Sequence, residues 1–270
     1  MSSWQADFYH YGVSSLPGEE LWHLTLCDRL GNLLYTQTCP QREVSSHWLK
    51  IHLQTLGQRM PVEEIQIFRP QILNLFSLAL EDLEISLIPT RRTLGLKTYL
   101  KEHYGDGALH IDSPPPQPLP ESLWGEQWRF AALPASDLMT VFQDYPIPYL
   151  DFPEDLWPVN RGIASDRLIP GVIIYAGRQA RYLGQWLASI GPVSLHYQAL
   201  DLNEAGGLVL EAGLSDRWIM ATFNDGEMAT NAQTFMNRQM EAQGLHFLLV
   251  QPDDSGMTTT GVWLLQHLAP

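Results

Sequence analysis

Basic side chains are scarce in this chain, and five of its 16 lysines and arginines fall between Ile65 and Tyr104: Arg69, Arg91, Arg92, Lys97 and Lys101. Arg69 follows the apolar run Ile65–Phe68 directly, and Arg91-Arg92 come just after Ile85–Ile88. Both are points where a strand hands over to a helix, and neighbouring strand ends form the ligand crevice of open α/β sheets. Arginines there can clamp phosphates, or stack on bases where aromatics lie near. The same cations could instead pair with Glu81, Asp82, Glu84 and Glu102. A second phosphate contact is offered by Gly177-Arg178-Gln179 with Arg181. That strand-to-helix turn is either a small anion nest or an ordinary turn.

Other chemistries find less support. A metal-dependent nuclease gathers carboxylates at strand ends to hold its cations. Asp28 lies past one strand, but the next ends in Phe68-Arg69-Pro70, where an arginine would repel a metal. Asp28, three residues before Gly31, also reads as a turn residue. His47 and His52 are five apart on one helix, and neither HExxH nor HxH occurs. The GxSxG, GxxxxGK[ST] and GxGxxG patterns are absent, so no nucleophile elbow, nucleotide cofactor or metal is expected. Asp253-Asp254 before Gly256 reads as a solvated hairpin loop, and Trp263 as core.

The elements that must position these residues are legible from periodicity. Trp22, Leu24 and Leu26 alternate with His23, Thr25 and Cys27, Asp28–Asn32 supplies a turn, and Leu33–Thr38 returns as a second strand. In this register Cys27 faces about Leu34 and Cys39 about Trp22, so a disulfide is not expected. A helix over Val44–Leu56, a strand Ile65–Phe68, an apolar helix after Pro70, a strand Ile85–Ile88 and a helix Thr93–His103 follow. That order suits a ribonuclease-H-like sheet. Residues 106–160 are rich in Pro and Trp, with Trp124, Trp128 and Trp157 among them. They read as a connector packed on its neighbours rather than free disorder. From Leu168 a second unit begins: strands Val172–Ala176, Ser194–Leu200, Gly207–Ala212, Arg217–Thr222, Leu245–Val250 and Gly261–Leu265, with helices Gln179–Ile190 and Met228–Gln243. The expectation is an α/β protein of mixed sheets: an N-terminal domain over 1–105, the connector over 106–160 and a C-terminal domain over 161–270.

The totals bound the function. The 270 residues carry 30 carboxylates and a formal charge of −14, which opposes indiscriminate binding to polyanions. Any nucleic-acid function must rest on a local patch. No apolar run reaches the 18 residues that suggest a spanning helix. The opening MSSWQADFYHYG has neither a signal-peptide h-region nor an Arg-rich transit composition, so no membrane insertion and a cytoplasmic location are expected.

Seven strings in order resemble one family: Trp22–Asp28, Ile67–Pro70, Ile88–Arg92, Leu119–Trp128, Leu168–Gly171, Leu245–Pro252 and Gly261–Leu265. Together they look like the Tab2-like family, translation activators of the photosystem I subunit PsaB in chloroplasts and cyanobacteria, here its cyanobacterial branch. The resemblance implies an RNA-binding, non-enzymatic factor for translating photosystem reaction-centre mRNAs and so for photosystem assembly. Its RNA is expected to be single-stranded, in A/U-rich leader regions, with ribosomal or assembly proteins as further partners. The candidate contacts are Arg69, Arg91, Arg92, Lys97, Trp124, Trp128, Arg178 and Arg181. Two alternatives stand beside this: a protein-interaction factor touching RNA only indirectly, and a cryptic nuclease around Asp28.

Overall fold

The computed structural model describes residues 2–12, 20–111, 114–143, 146–199 and 206–267. The chain divides into two compact units, Met1–Asp112 and Ser113–Ala269. Both mix helices with sheet, as the α/β expectation requires.

The first unit is a five-stranded sheet in the order β3-β2-β1-β4-β5. Its strands are β1 (Ser3–Tyr9), β2 (Leu21–Cys27), β3 (Leu33–Pro40), β4 (Glu64–Ile67) and β5 (Ser86–Pro89). The first three run antiparallel, and β4 and β5 join β1 in parallel. Helices α1 (Ser46–Gly57) and α2 (Leu73–Leu80) contribute Leu49, Leu53 and Phe76 to one core, with Trp4, Ala6 and Phe8 of β1. Ser45 caps α1 by accepting from Trp48 N at 3.2 Å, and Pro70 opens the turn into α2. Helix α3 (Leu94–Tyr104) builds a second cluster around Leu96, Leu100, Cys27 and Phe68.

β1 is the strand that periodicity missed. It is the middle of the sheet and buried on both faces, yet it carries Gln5 and Asp7 among its buried residues. The amide of Gln5 is satisfied by Leu96 N at 2.9 Å and by Gln66. Polar residues are tolerated in a central strand only with such dedicated partners, and those partners lie some 60 and 90 residues away. Local pattern cannot reveal them. The hairpin register is as expected to within one residue: Cys27 faces Leu33 and Cys39 faces Trp22. Both thiols are free and buried, and burial, then Asp28, pushes Cys27 up to about 12.

The second unit holds two sheets. One has the order β10-β11-β12-β6, from β10 (Pro192–Ala199), β11 (Gly206–Ala212), β12 (Asp216–Phe223) and the short β6 (Gln117–Pro118). The other runs β7-β9-β13-β14-β8: β7 (Gln127–Pro134), β9 (Leu168–Tyr175), β13 (Leu245–Gln251), β14 (Gly261–Gln266) and β8 (Tyr149–Asp151). In it β9 and β13 are parallel, while β7 lies antiparallel to β9 at the edge. Val172, Ile174, Leu248 and Trp263 share a core with Leu195, Leu208 and Leu210 of the first sheet, with α5 (Ala180–Ile190) and with Phe235 of α6 (Gly226–Glu241). Ile169, Ile173, Phe247 and Leu249 pack instead with Leu138 and Phe142 of α4 (Ala135–Gln143).

The Pro/Trp-rich stretch 106–160 is thus divided. Its start closes the first unit, while β6, β7, α4 and β8 are built into the sheets and core of the second. The prolines and tryptophans hide β7 because its partner β9 lies about 40 residues on.

One buried imidazole ties β10 to β13, and beside it Gln239 of α6 donates to Leu195 O at 3.0 Å. His246 Nε2 accepts from Leu195 N at 2.8 Å, so the ring proton sits on Nδ1, which donates to Gly244 O at 2.8 Å. Burial is the main cause pushing this imidazole down to about 3, and burial likewise lowers His267. The folded chain therefore keeps His246 neutral while the unfolded chain protonates below about 6.5. Its contribution is fully present above that value and is lost as pH falls towards about 3. Thermal melts should show about 2 kcal/mol of stability lost between pH 6.5 and 5 from this group. His246→Gln should be less stable at pH 7 and show a shallower loss on acidification; an undiminished acid slope would contradict the assignment.

Candidate nucleic-acid interface

Strand order brings β1 and β4 side by side, so Asp7 and Arg69 meet at the end of β4. Arg69 Nε lies 3.1 Å from each Asp7 carboxylate oxygen, and its Nη2 lies 2.9 Å from Oδ2. The remaining donors reach Ala108 O at 2.6 Å and His110 O at 2.9 Å. The guanidinium lies over the Tyr9 ring at 4.0 Å, and Tyr11 donates to Asp7 Oδ2 at 2.9 Å. Burial, then Asp7, holds the Tyr11 hydroxyl well above its ordinary range. Arg69 is 1% exposed and Asp7 is fully buried. As placed, Arg69 cannot reach an RNA phosphate. The arginine expected to contact RNA is an interior strut, because a carboxylate on the unrecognised β1 claims it.

The rest of the basic cluster is mostly drawn inward too. Arg91 is buried, and Lys97 donates to its carbonyl at 2.6 Å while lying 5.2 Å from the Phe68 ring centre. Arg92 is half-buried. Lys101 pairs with Asp106 at 2.7 Å, and of the acids expected as partners Asp82 is held by Lys50 at 2.7 Å. Asp28 closes its own turn, accepting from Leu30 N, Asn32 N and Asn32 Nδ2 at 2.7–2.9 Å. Burial works against its charge, but these hydrogen bonds prevail and hold its pKa down. Among the described residues no group of three or more His, Cys, Asp or Glu side chains is placed to hold a metal.

The second unit presents the exposed candidates. β9 ends at Tyr175, whose carbonyl accepts from Glu126 N at 2.7 Å, and Gly177 N donates to Pro252 O at 2.9 Å. The segment 122–126 is thereby pinned to the turn beyond the parallel strands. Gly177 has φ 51°, a left-handed conformation that favours glycine, and a Cβ there would have to displace the Glu126 carboxylate. At this turn Arg178 and Arg181 are exposed, as are Tyr182 at 65% and, on the segment pinned to the turn, Trp124 at 57%. Tyr182, Trp186, Gln179 and Leu123 line a shallow groove of about 490 Å3. Trp124 is held by its indole N–H donating to Leu119 O at 2.8 Å, so its ring is presented rather than loose. Carboxylates flank the patch: Glu126 beside Gly177, and Asp253, which caps its own loop at Ser255 N.

Trp128, half-buried on β7, lines two cavities. One, about 450 Å3, is walled by Trp124, Leu183, Leu208 and Met220. The other, about 550 Å3, lies between β7 and α6. Tyr182, Arg129, Asn231 and Arg238 were not expected at an interface. Arg129 sits in a strand unrecognised within the Pro/Trp-rich stretch. Arg238 and Asn231 sit on a recognised helix, but isolated polar residues give no signal there.

Comparison with known proteins agrees over the whole chain. Residues 3–103 match the family model "RNA-binding protein Tab2/Atab2 N terminal", and residues 106–266 match the C-terminal domain of the same family. The chain is 28% identical to the chloroplastic protein TAB2 homolog of Arabidopsis thaliana, covering 100% of this chain and 76% of that one. The Zea mays counterpart is likewise 28% identical, at 99% and 72%. A solved structure, the catalytic domain of Mos1 mariner transposase, aligns at TM-score 0.26 and 15% identity. It covers 33% of this chain and about half, 48%, of that one, too slight a likeness to argue from.

The Asp7–Arg69 pair makes a test of its own. Removing one partner leaves an uncompensated buried charge, so Arg69→Leu should lose about 3–5 kcal/mol in urea denaturation. Asp7→Leu combined with Arg69→Leu should recover much of that loss, and a strictly additive double variant would show that the two are not coupled.

Proposed function

The chain belongs to the Tab2-like family of RNA-binding proteins, and from that premise we propose that it contacts single-stranded RNA through the second unit. The observation that carries this is the exposed set Trp124, Arg178, Arg181 and Tyr182, gathered where β9 gives way to α5. Guanidinium groups there neutralise phosphates and the aromatic faces stack on unpaired bases. The finer role we propose is support for translating photosystem reaction-centre mRNAs, consistent with the TAB2 homologues that resemble it.

We further propose that the protein is not an enzyme. In support, the strand ends where a nuclease would gather carboxylates hold Asp7 and Arg69 locked to each other. The order β3-β2-β1-β4-β5 with parallel β4 and β5 favours reading the first unit as ribonuclease-H-like in shape, with the arginine standing in place of metal chemistry.

Arg178→Glu with Arg181→Glu tests the site. Fluorescence anisotropy with an unstructured RNA should show weaker binding and a salt dependence shallower by about 1.4, about 0.7 for each lost phosphate contact on a single strand. Trp124→Leu should cost about 1–3 kcal/mol of affinity through lost stacking. Unchanged affinity in both variants would place the RNA elsewhere.

A further inference from the structure

We infer that the groove between β7 and α6 seats one unpaired nucleotide, its base against Trp128 and Phe130 and its phosphate on Arg238. This rests on the RNA-binding reading above and gives it a second, separate contact surface. β7 is an edge strand, and the groove of about 550 Å3 beside it is within the size range of small-ligand sites. Its aromatic wall is already assembled: Trp128 meets Phe130 edge-on at 5.3 Å, and Phe130 meets Phe235 at 5.3 Å. Across from it, Asn231, Thr234 and Arg238 line the groove from α6, at spacings that put them on one helix face.

The polar groups on that face have unspent capacity. Arg238 is half-buried and makes no ion pair or side-chain hydrogen bond among the described residues; Glu241, three residues on, is engaged by Arg167 at 2.9 Å. A partly desolvated guanidinium without a carboxylate is a ready phosphate partner. Asn231 likewise has no partner among the described residues, so its amide offers both a donor and an acceptor to a base edge. Thr234 spends its hydroxyl proton on Thr230 O at 3.0 Å, leaving lone pairs that accept from an exocyclic amine or a 2′-hydroxyl. An aromatic face, a guanidinium, an amide and an acceptor hydroxyl together match a nucleotide better than an apolar ligand.

The test uses the full chain and a short unstructured RNA. Arg238→Gln should weaken binding about tenfold and reduce the salt slope by about 0.7, and Arg238→Lys should restore the slope. RNA carrying a photoreactive 4-thiouridine should form adducts at Trp128 or Phe130. If the wild type binds RNA but Arg238→Gln changes neither affinity nor slope, or adducts form only elsewhere, the groove assignment is overturned. A wild type that binds no RNA overturns the RNA-binding reading itself.

Discussion

The guanidinium of Arg69 is a permanent charge placed where there is almost no water, and the first unit is arranged around satisfying it. Of its five N–H donors, four are spent: on both oxygens of Asp7 and on the carbonyls of Ala108 and His110. These partners belong to β1 and to the segment after α3, while Arg69 itself follows β4. One side chain therefore joins three separate stretches of chain. The Tyr9 ring beneath it and the Tyr11 hydroxyl on Asp7 complete the enclosure. A pair this dry gains little net stability over apolar packing, but losing either half is costly. Its consequence is specificity of arrangement: with both groups buried, β1 and β4 must be neighbours.

The same interaction limits what Asp7 and Arg69 themselves can do at that sheet end. A cation fixed between two adjacent strand ends neutralises the carboxylate that would otherwise attract a metal. It also withdraws the arginine from any external phosphate. Charge that looks available in a one-dimensional sequence is, at Arg69, already used. The cations and aromatics proposed for an external ligand lie in the second unit: Trp124 before β7, Arg178 in the turn into α5, Arg181 and Tyr182 on α5, and the groove between β7 and α6.

Much of this was readable in advance. Alternation marked β2 and β3, apolar stripes marked α1 and α2, and the second unit's parallel strands announced themselves as continuous apolar runs, as strands buried on both faces do. What was not readable has a common cause. β1 carries buried polar residues whose partners are distant in sequence, so its pattern is that of neither a core strand nor a solvent-facing one. β7 is punctuated by tryptophan and glycine on one side and proline on the other, and becomes a strand only because β9 offers it a ladder. Asp7 went unnoticed for the same reason as β1, and with it the fate of Arg69. At the candidate site, Arg178 and Arg181 follow from a local turn motif, because turn chemistry is local, whereas Trp124 came only with the family resemblance. Arg238 and Asn231 came with neither, because their meaning comes from the wall opposite them.

The charge balance now constrains how RNA can be held. The second unit has seven arginines and no lysine against 17 carboxylates, so its mean field repels a polyanion. Arg167 and Arg217 face Glu241 and Glu211, and Arg161 is half-buried. That leaves Arg129, Arg178, Arg181 and Arg238 for phosphates. Four contacts on a single strand correspond to a salt slope of about 3 at most, well short of a general polyanion binder. On the proposed reading, affinity would come mainly from stacking on a few aromatic faces, which ordinary salt does not screen. Stacking requires bases that are already unpaired. On the reading proposed above, an acidic protein with few unpaired arginines and several presented rings would favour single-stranded segments, because its weak phosphate contacts give duplex little to hold.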